Sequence, residues 1–357
     1  MTIIHAIFSF NVGGAETMLA DIINQQCKEA SVSLIVVNEK INIDLLDTIN
    51  KSVKINLIKR KEGNKIQLLS AFLKINRIAG KINPDVIHCH DNKLFPFFIG
   101  QRKKTLLTVH ATNLSCRFLK YYRQIFAISN AVKEDVKERT NLDAQLVYNG
   151  IAIDEYHQRT DYISKQLFNI VQVSRLNSQV KGQHIAIQAI AYLKEKYPDI
   201  NFTLSFVGDG ESKAQLKALA VENKIENKIV FEGQKSRSWI KEHLQDFDVL
   251  IQPSLHEGFG LTIIEGLAAG LPVIASSLEG PKEILDLLNV GLSVEVGNPN
   301  DLAEKIYRVK EDYVSGNLLN TNYLLRDKKQ LAVFDIQTTT IRYIAHYKNI
   351  ISKNENR

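Results

Sequence analysis

Glu257 and Glu265 stand with seven residues between them in the stretch HEGFGLTIIEGLAAGLPVIAS. An apolar strand over residues 249–251 leads into Pro253-Ser254, and the flexible Gly258 and Gly260 follow Glu257. The pattern predicts a helix starting at residues 259–261, carrying Glu265 on its second turn and stopping at Gly270 before Pro272. The first turn of a helix offers backbone N–H groups without intrahelical partners, and glycines let an anion come close to them. Carboxylates on either side of that anion site can accept hydrogen bonds from hydroxyl-rich groups. A phosphate gripped between two polyols describes a nucleotide sugar, with ribose, diphosphate and sugar in a row. The duller role for Glu265, favourable placement in the helix dipole at about 0.3–1 kcal/mol, leaves Glu257 and the Gly-Phe-Gly run unexplained.

Other residues add to this in chain order. FSFNVGGAET places Gly13 and Gly14 between a first strand and a helix near Ala15; LLTVHAT ends a strand at His110. VYNGIAIDEY surrounds Asn149-Gly150, VSRLNSQVKGQH carries Arg175 and Lys181, and LSFVGDGESK runs a strand into a glycine turn. The ordered set resembles the retaining glycosyltransferases of family 4, also called glycosyl transferases group 1, over nearly the whole chain. The fold this resemblance implies is α/β: two Rossmann-like domains facing across a cleft, the glycosyltransferase B type.

The resemblance also implies roles. Gly13 and Gly14 would turn backbone N–H groups toward the donor, where an ordinary βα turn would need glycine only for positive φ. Arg175 and Lys181 match the positions that hold the diphosphate, whose negative charge grows as the glycosidic bond breaks. Fixed cations there bind the transition state more tightly than the ground state. Gly258, Phe259, Gly260, Leu261 and Thr262 would line the donor at the helix start. Glu265 would take the ribose hydroxyls, Glu257 those of the sugar, and His110 would sit near the anomeric carbon. The implied catalytic set is His110, Glu257, Arg175 and Lys181, with no cofactor and no metal.

Two alternative metal signals are weaker. His88, Cys89 and His90 are consecutive on a strand, where neighbours point to opposite faces, so Cys89 cannot join both histidines at one ion. Asp246-Phe247-Asp248 mimics the Asp-x-Asp metal motif of the other glycosyltransferase fold. It precedes a buried strand, on the side away from the cleft, and reads as structural.

Short apolar strands alternate with helical stretches, the pattern of a parallel sheet. Strands are predicted at residues 2–8, 33–37, 86–88, 105–109, 125–128 and 145–147, with helices at 15–27, 66–82 and 131–139. A second series has strands at 169–173, 201–207, 228–232, 249–251, 273–275 and 292–295. Its helices fall at 182–196, 212–223, 239–246, 262–269 and 300–311. The expected division is an acceptor-binding domain over 1–155, a nucleotide-sugar domain over 156–333, and a C-terminal helix in 334–357, read over 334–347, packing back on the first domain. The tail at 352–357 reads as frayed.

The basic excess of the chain lies in its first part: residues 1–160 hold 22 Lys plus Arg against 15 Asp plus Glu, and the remainder 23 against 24. Lys93, Arg102, Lys103, Lys104, Arg117, Lys120, Arg123 and Lys133 occur without an acidic residue among them, interleaved with Phe95, Phe97, Phe98, Phe118, Tyr121, Tyr122 and Phe126. Arg117, Lys120 and Arg123 recur every third residue, a spacing that shares one face of a helix. This is either a solvated face over an aromatic core or a surface for anionic membrane lipid, at about 1 kcal/mol per nearby cation. No nucleic-acid-binding module is present, so nucleic acid is not an expected partner. Three cysteines make no disulfide framework, and the N-terminus reads as a strand rather than a leader, so a cytoplasmic location is expected, with attachment to the inner membrane face as its variant.

The predicted function is transfer of a sugar, with retention, from a nucleoside diphosphate sugar to a glycan or lipid-linked acceptor in envelope or capsule polysaccharide synthesis. Uridine is the favoured base and guanosine the alternative. An epimerase of the same fold would need a further carboxylate cluster around the sugar, which is not found. A non-catalytic nucleotide-sugar-binding partner of another transferase would not need His110, Arg175, Lys181 and both glutamates intact.

Overall fold

The computed structural model describes residues 1–11, 13–163 and 166–355. The chain divides into two units, Met1–Ile151 with Val333–Arg357, and Ala152–Ala332. In the first, β1 (Thr2–Ile7), β2 (Ser31–Asn38), β3 (Lys54–Arg60), β4 (Val86–Cys89), β5 (Thr105–Val109), β6 (Gln124–Ala127) and β7 (Gln145–Leu146) form one sheet in the order β3-β2-β1-β4-β5-β6-β7. Every neighbouring pair is parallel. Helices α1 (Gly14–Gln26), α2 (Ile43–Asp47), α3 (Lys65–Ile82) and α4 (Asn130–Thr140) link the strands, with 3-10 turns over Asn92–Lys104.

In the second unit, β8 (Phe168–Val173), β9 (Phe202–Val207), β10 (Ile229–Gly233), β11 (Val249–Gln252), β12 (Val273–Ser276) and β13 (Leu292–Val294) are ordered β10-β9-β8-β11-β12-β13, again parallel. Its helices are α5 (Ser178–Lys181), α6 (Gln183–Lys196), α7 (Lys213–Glu222), α8 (Arg237–His243), α9 (Leu261–Ala268), α10 (Glu279–Leu288) and α11 (Pro299–Val314). The last helix, α12 (Ile336–Glu355), belongs to the first unit.

The central strands read as continuous apolar runs because helices cover both faces of a parallel sheet. Ile3, Ile4 and Ala6 of β1, and Val249, Leu250 and Ile251 of β11, have no solvent exposure. Helix ends follow local chemistry. Asn64 caps α3 by accepting from the Gln67 N–H at 3.1 Å, and Asn83 closes that helix in the left-handed conformation. Ser129 caps α4 by accepting from the Val132 N–H at 3.2 Å. α12 is tied to the first unit by backbone pairing of Ile151 with Phe334 and Ile336, at 3.0 and 2.9 Å, and by its fully buried Tyr343 and Tyr347.

The strand order reverses between β1 and β4 in one sheet and between β8 and β11 in the other. Ligands of such sheets bind beyond the carboxyl ends of the strands at these switch points. Both sets of candidate residues lie there.

Several elements differ from the sequence reading, among them the short helices α2 and α5, which it did not contain. β3 was not expected: it is an edge strand whose Lys and Arg residues hide the apolar alternation. α10 was missed because Gly280 and Pro281 look like a break. Both fall in its first turn, where a proline needs no N–H. The expected frayed tail is helical through Glu355; residues 356–357 lie outside the described residues, as does Val12 in the glycine loop. Among the described residues no helix is long and apolar enough to cross a membrane.

Candidate active site

In the second unit, the segments after β8 and β11 are locked together by backbone contacts. The N–H groups of Leu255 and His256 both donate to the Val180 carbonyl, at 2.9 and 3.1 Å. Gly182 sits at φ +67°, where a Cβ would collide with the Pro253 carbonyl, so only glycine allows this approach. Two buried glutamines hold the first segment from behind. Gln172 donates to the Lys181 carbonyl at 2.7 Å, and Gln183 to Ser174 Oγ and the Arg175 carbonyl, both at 2.9 Å. The sequence reading passed over both residues, although a polar residue inside an apolar strand is the signal that marks Gln172.

This framework brings two of the predicted residues into contact. Lys181 Nζ lies 2.5 Å from Glu257 Oε2, with the side chains 24% and 14% exposed. Arg175, in the same segment, is turned to a different carboxylate: its guanidinium meets Glu211 Oε2 at 2.9 and 3.2 Å, with side chains 71% and 53% exposed. Asn177 donates to the other Glu211 oxygen at 2.9 Å. Backbone hydrogen bonding and then Arg175 hold the Glu211 carboxyl below its usual range. Sequence reading did not single out Glu211.

α9 starts at Leu261 from Gly260, at φ +109°, and no side chain caps it. Its first turn is therefore open to an exogenous anion. Phe259 is buried, Gly258, Leu261 and Thr262 are half-buried, and Glu265 is half-buried one turn further on. Thr262 Oγ1 donates to Gln252 Oε1 at 3.4 Å, fixing the helix start to the end of β11.

Asp246 and Asp248 are occupied. Asp248 pairs with Arg159 at 2.8 Å, both almost fully buried, and accepts the Asn169 N–H at 2.7 Å. Asp246 meets His243 Nδ1 at 2.8 Å.

The first unit is different in kind. Gly13 caps α1 at φ −164°, an extended conformation open to any residue, so positive φ is not why glycine stands there. A Cβ at Gly13 would lie 2.5 Å from Glu16 Oε2, because that carboxylate folds back over the helix start. Burial raises the Glu16 pKa above its usual value. A carboxylate thus shares the loop expected to receive phosphate, a residue the sequence reading left out.

His110 follows β5 and is half-buried, but it is not alone. Four imidazoles cluster across β1, β4 and β5. His110 Nε2 lies 3.2 Å from His90 Nδ1, His90 Nε2 lies 3.0 Å from His5 Nδ1, and His5 Nε2 lies 2.7 Å from Gln26 Oε1. His88 contacts Tyr347 Oη at 2.5 Å and Thr108 Oγ1 at 2.7 Å. Burial lowers the pKa of His5 and His110 to about 4 and holds those of His88 and His90 well below the usual range. The ligating atoms of His5, His88 and His90 fall within 4.8 Å of one another. As arranged they do not form a metal cage. His88 stacks on His90 at 4.5 Å and 28°, so their in-plane lone pairs run nearly parallel instead of converging at about 2.1 Å, and hydroxyls occupy both nitrogens of His88. Sequence reading found His88, His90 and His110. It missed His5, which the parallel register sets beside His88.

The basic stretch also departs from expectation. Residues 117–123 do not form the expected helix; a single 3-10 turn spans Leu119–Tyr121. Arg117, Lys120 and Arg123 are exposed, as are Arg102 and Lys103, while Lys104 donates to the Pro84 carbonyl at 2.7 Å. Phe95, Phe97, Phe98, Tyr122 and Phe126 are buried, so most of the interleaved aromatics are core.

Two Rossmann-like units, with an open helix N-terminus, paired carboxylates and cations at a sheet switch point, define a glycosyltransferase of the B type. Residues 154–322 match Glycosyl transferases group 1, and residues 12–155 match Glycosyltransferase Family 4. The chain belongs to this family of glycosyltransferases. The lipopolysaccharide core biosynthesis glycosyltransferase LpsE of Rhizobium meliloti (strain 1021) is 32% identical over 272 residues, 72% of this chain and 74% of LpsE. The N-acetyl-alpha-D-glucosaminyl L-malate synthase of Bacillus anthracis is 25% identical over 266 residues, 67% of this chain and 68% of the synthase. The solved structure of Anabaena Alr3699/HepE in complex with UDP and glucose has the same fold, with a TM-score of 0.79 and 22% identity over 98% of this chain and 100% of that one.

Proposed function

We propose that the protein transfers a sugar from a nucleoside diphosphate sugar, with retention at the anomeric carbon, to a lipid-linked glycan in envelope polysaccharide synthesis. The observation that carries this reading is the Lys181–Glu257 pair, at 2.5 Å, in the segments that lead to the open N-terminus of α9. A cation, a sugar-binding carboxylate and a helix start are the three groups a glycosyl diphosphate needs. Uridine is the favoured base, which the UDP complex of Alr3699/HepE supports. The involvement of LpsE in lipopolysaccharide core biosynthesis supports an envelope acceptor.

The bond from the anomeric carbon to the diphosphate breaks as the bond to the acceptor oxygen forms on the same face. The acceptor's proton passes to the departing phosphate oxygen, and no side chain forms a lasting adduct. Arg175, Lys181 and the first turn of α9 stabilise the charge that develops on the leaving group. The family resemblance gives Gly13, Gly14 and His110 donor-binding roles as well. The leaving group is neutralised by these side chains rather than by a metal ion; the Asp-x-Asp carboxylates, committed to Arg159 and His243, support this.

Attachment to anionic lipid accompanies the lipid-linked acceptor. Leu69 and Leu73 on α3 are 65% and 60% exposed, and Ile99 on the adjoining 3-10 segment 60%. Exposed Lys74, Arg77, Arg102 and Lys103 lie on the same two elements, which are joined by the Asn76 side chain donating to the Phe97 carbonyl at 2.9 Å. Apolar residues beside cations suit an interface that is oily on one side and anionic on the other. Sedimentation with anionic but not neutral vesicles, reversed by salt, is expected; equal and negligible binding to both would favour a soluble acceptor.

The donor reading is tested by calorimetry. Glu265→Ala should weaken binding of free UDP, since ribose is common to UDP and donor, whereas Glu257→Ala should weaken only the nucleotide sugar. The opposite pattern would mean that the donor lies reversed.

A further inference from the structure

The imidazole row of the first unit has a direction. His5 and His90 are 5.3 Å apart between ring centres, with a nitrogen contact of 3.0 Å, so the rings meet edge to edge and hydrogen-bond in line. His90 and His110 repeat this at 5.4 Å and 3.2 Å. A neutral imidazole has one N–H and one bare nitrogen, so each contact in such a row settles the next. Burial keeps His5 and His110 neutral down to about pH 4, and His90 lower than its ordinary range.

The row ends at Gln26, the last residue of α1, buried to 1% exposure. Its Oε1 faces His5 Nε2 and can only accept, so His5 carries its hydrogen on Nε2 and leaves Nδ1 bare. His90 must then donate from Nε2 and accept at Nδ1. His110 in turn must donate from Nε2. Its Nδ1 is left as a lone pair, and that atom is buried and has no hydrogen-bond partner among the described residues. Turning the Gln26 amide over would reverse every step, so that amide decides the polarity of the row.

We propose that Gln26, His5 and His90 are positioning residues that hold His110 as its Nε2–H tautomer, so that the bare Nδ1 accepts a hydrogen bond from a hydroxyl of the bound sugar. This rests on the donor-site role of His110 given above. The row is not a proton wire, because a neutral amide at its far end offers no site to take a proton. Its effect is orientation: a buried acceptor poised for a hydroxyl, which would repel a ligand atom that is itself only an acceptor. A ligand lacking that hydroxyl leaves the nitrogen unpartnered, and the site discriminates against it.

The experiment is a long-range proton–nitrogen correlation spectrum of the full chain, labelled with ¹⁵N-histidine, at neutral pH. Bare and protonated ring nitrogens separate widely, and the His110 signals are identified by their loss in His110→Gln. The expected result is a single His110 tautomer, protonated at Nε2. Protonation at Nδ1, or a mixture, in the unsubstituted protein would overturn the proposal, and this measurement needs no variant of the row to fold. Gln26→Met removes the terminal acceptor without adding charge. It should turn His110 into a mixture of tautomers and raise KM for the nucleotide sugar about tenfold while kcat changes less, about one neutral hydrogen bond lost. A folded Gln26→Met protein with His110 still a single tautomer would overturn the role of Gln26. The expected tautomer together with unchanged kinetics in His110→Gln would overturn the donor-site role of His110 and leave the row itself standing.

Discussion

The two units meet the same problem, placing polar groups at a sheet switch point, with opposite chemistry. The second uses charge near solvent: Lys181 with Glu257 at 24% and 14% exposure, and Arg175 with Glu211 at 71% and 53%. The first uses neutral imidazoles sealed from water, with His5 and His88 at 0% exposure and His90 at 7%. Charged groups kept near water remain charged and can be handed to an incoming diphosphate. Neutral rings tolerate burial because they carry no charge to desolvate and, His110 Nδ1 apart, their nitrogens find partners; their information lies in which nitrogen bears the hydrogen. The lesson is that burial selects between charge and direction as the means of holding a ligand.

The contrast can be broken most severely at a charge pair that violates it. Arg159 and Asp248 are ionic yet only 5% and 3% exposed, far from the ligand edge of β11. Arg159→Met should strand Asp248 and cost about 3–5 kcal/mol of stability by urea denaturation, because a buried unpaired carboxylate has no compensation. A loss below about 1 kcal/mol would mean that water reaches the pair and that burial is not what separates the two kinds of site.

Lys181→Ala comes next. If Lys181 meets charge that grows in the transition state, kcat should fall about 10²–10³-fold, or about 2.7–4 kcal/mol, with a smaller change in donor affinity. Unchanged kcat in steady-state assays would remove Lys181 from the reaction.

A third effect belongs to the histidine row. The folded-state pKa of His5 and of His110 lies at about 4, below the ordinary 6.5, so the unfolded chain takes up protons that the folded chain refuses. Their contribution to stability is complete above pH about 6.5 and declines as pH falls toward 4, by about 1.4 kcal/mol per pH unit for each imidazole. Hydrogen exchange of β1 and β4 amides at pH 7, 6 and 5 reads the first unit separately from the second. Protection independent of pH would show that the rings are wet.

The smallest effect is expected at Arg175–Glu211. Glu211→Gln should leave the denaturation midpoint unchanged, since screened, solvent-exposed pairs stabilise little. A clear drop would bring this pair closer in kind to Arg159–Asp248 than its exposure suggests.

Much of this was legible from residue order. Alternating apolar strands and amphipathic helices reveal a parallel sheet because the periods of 2 and 3.6 differ locally, and Gly260 before Leu261 signals an open helix start. Edge strand β3 was not legible, since lysines and arginines that protect an edge also mask its period. Nor was the Gly13 loop, where the group that excludes a Cβ is the Glu16 carboxylate.

The sequence by itself determined the fold class and the family, and it proposed the glutamates, cations and His110 as site residues, because these follow from local pattern and spacing. Tertiary structure alone decided the pairings. That Lys181 meets Glu257, that Arg175 is turned to Glu211, and that His5, His90 and His110 join in a row ending at Gln26 all depend on contacts between segments that the chain separates by tens of residues. The physical reason is that hydrogen-bond partners are set by strand order and register, and strand order in a parallel sheet is written across the whole unit rather than in any one stretch of it.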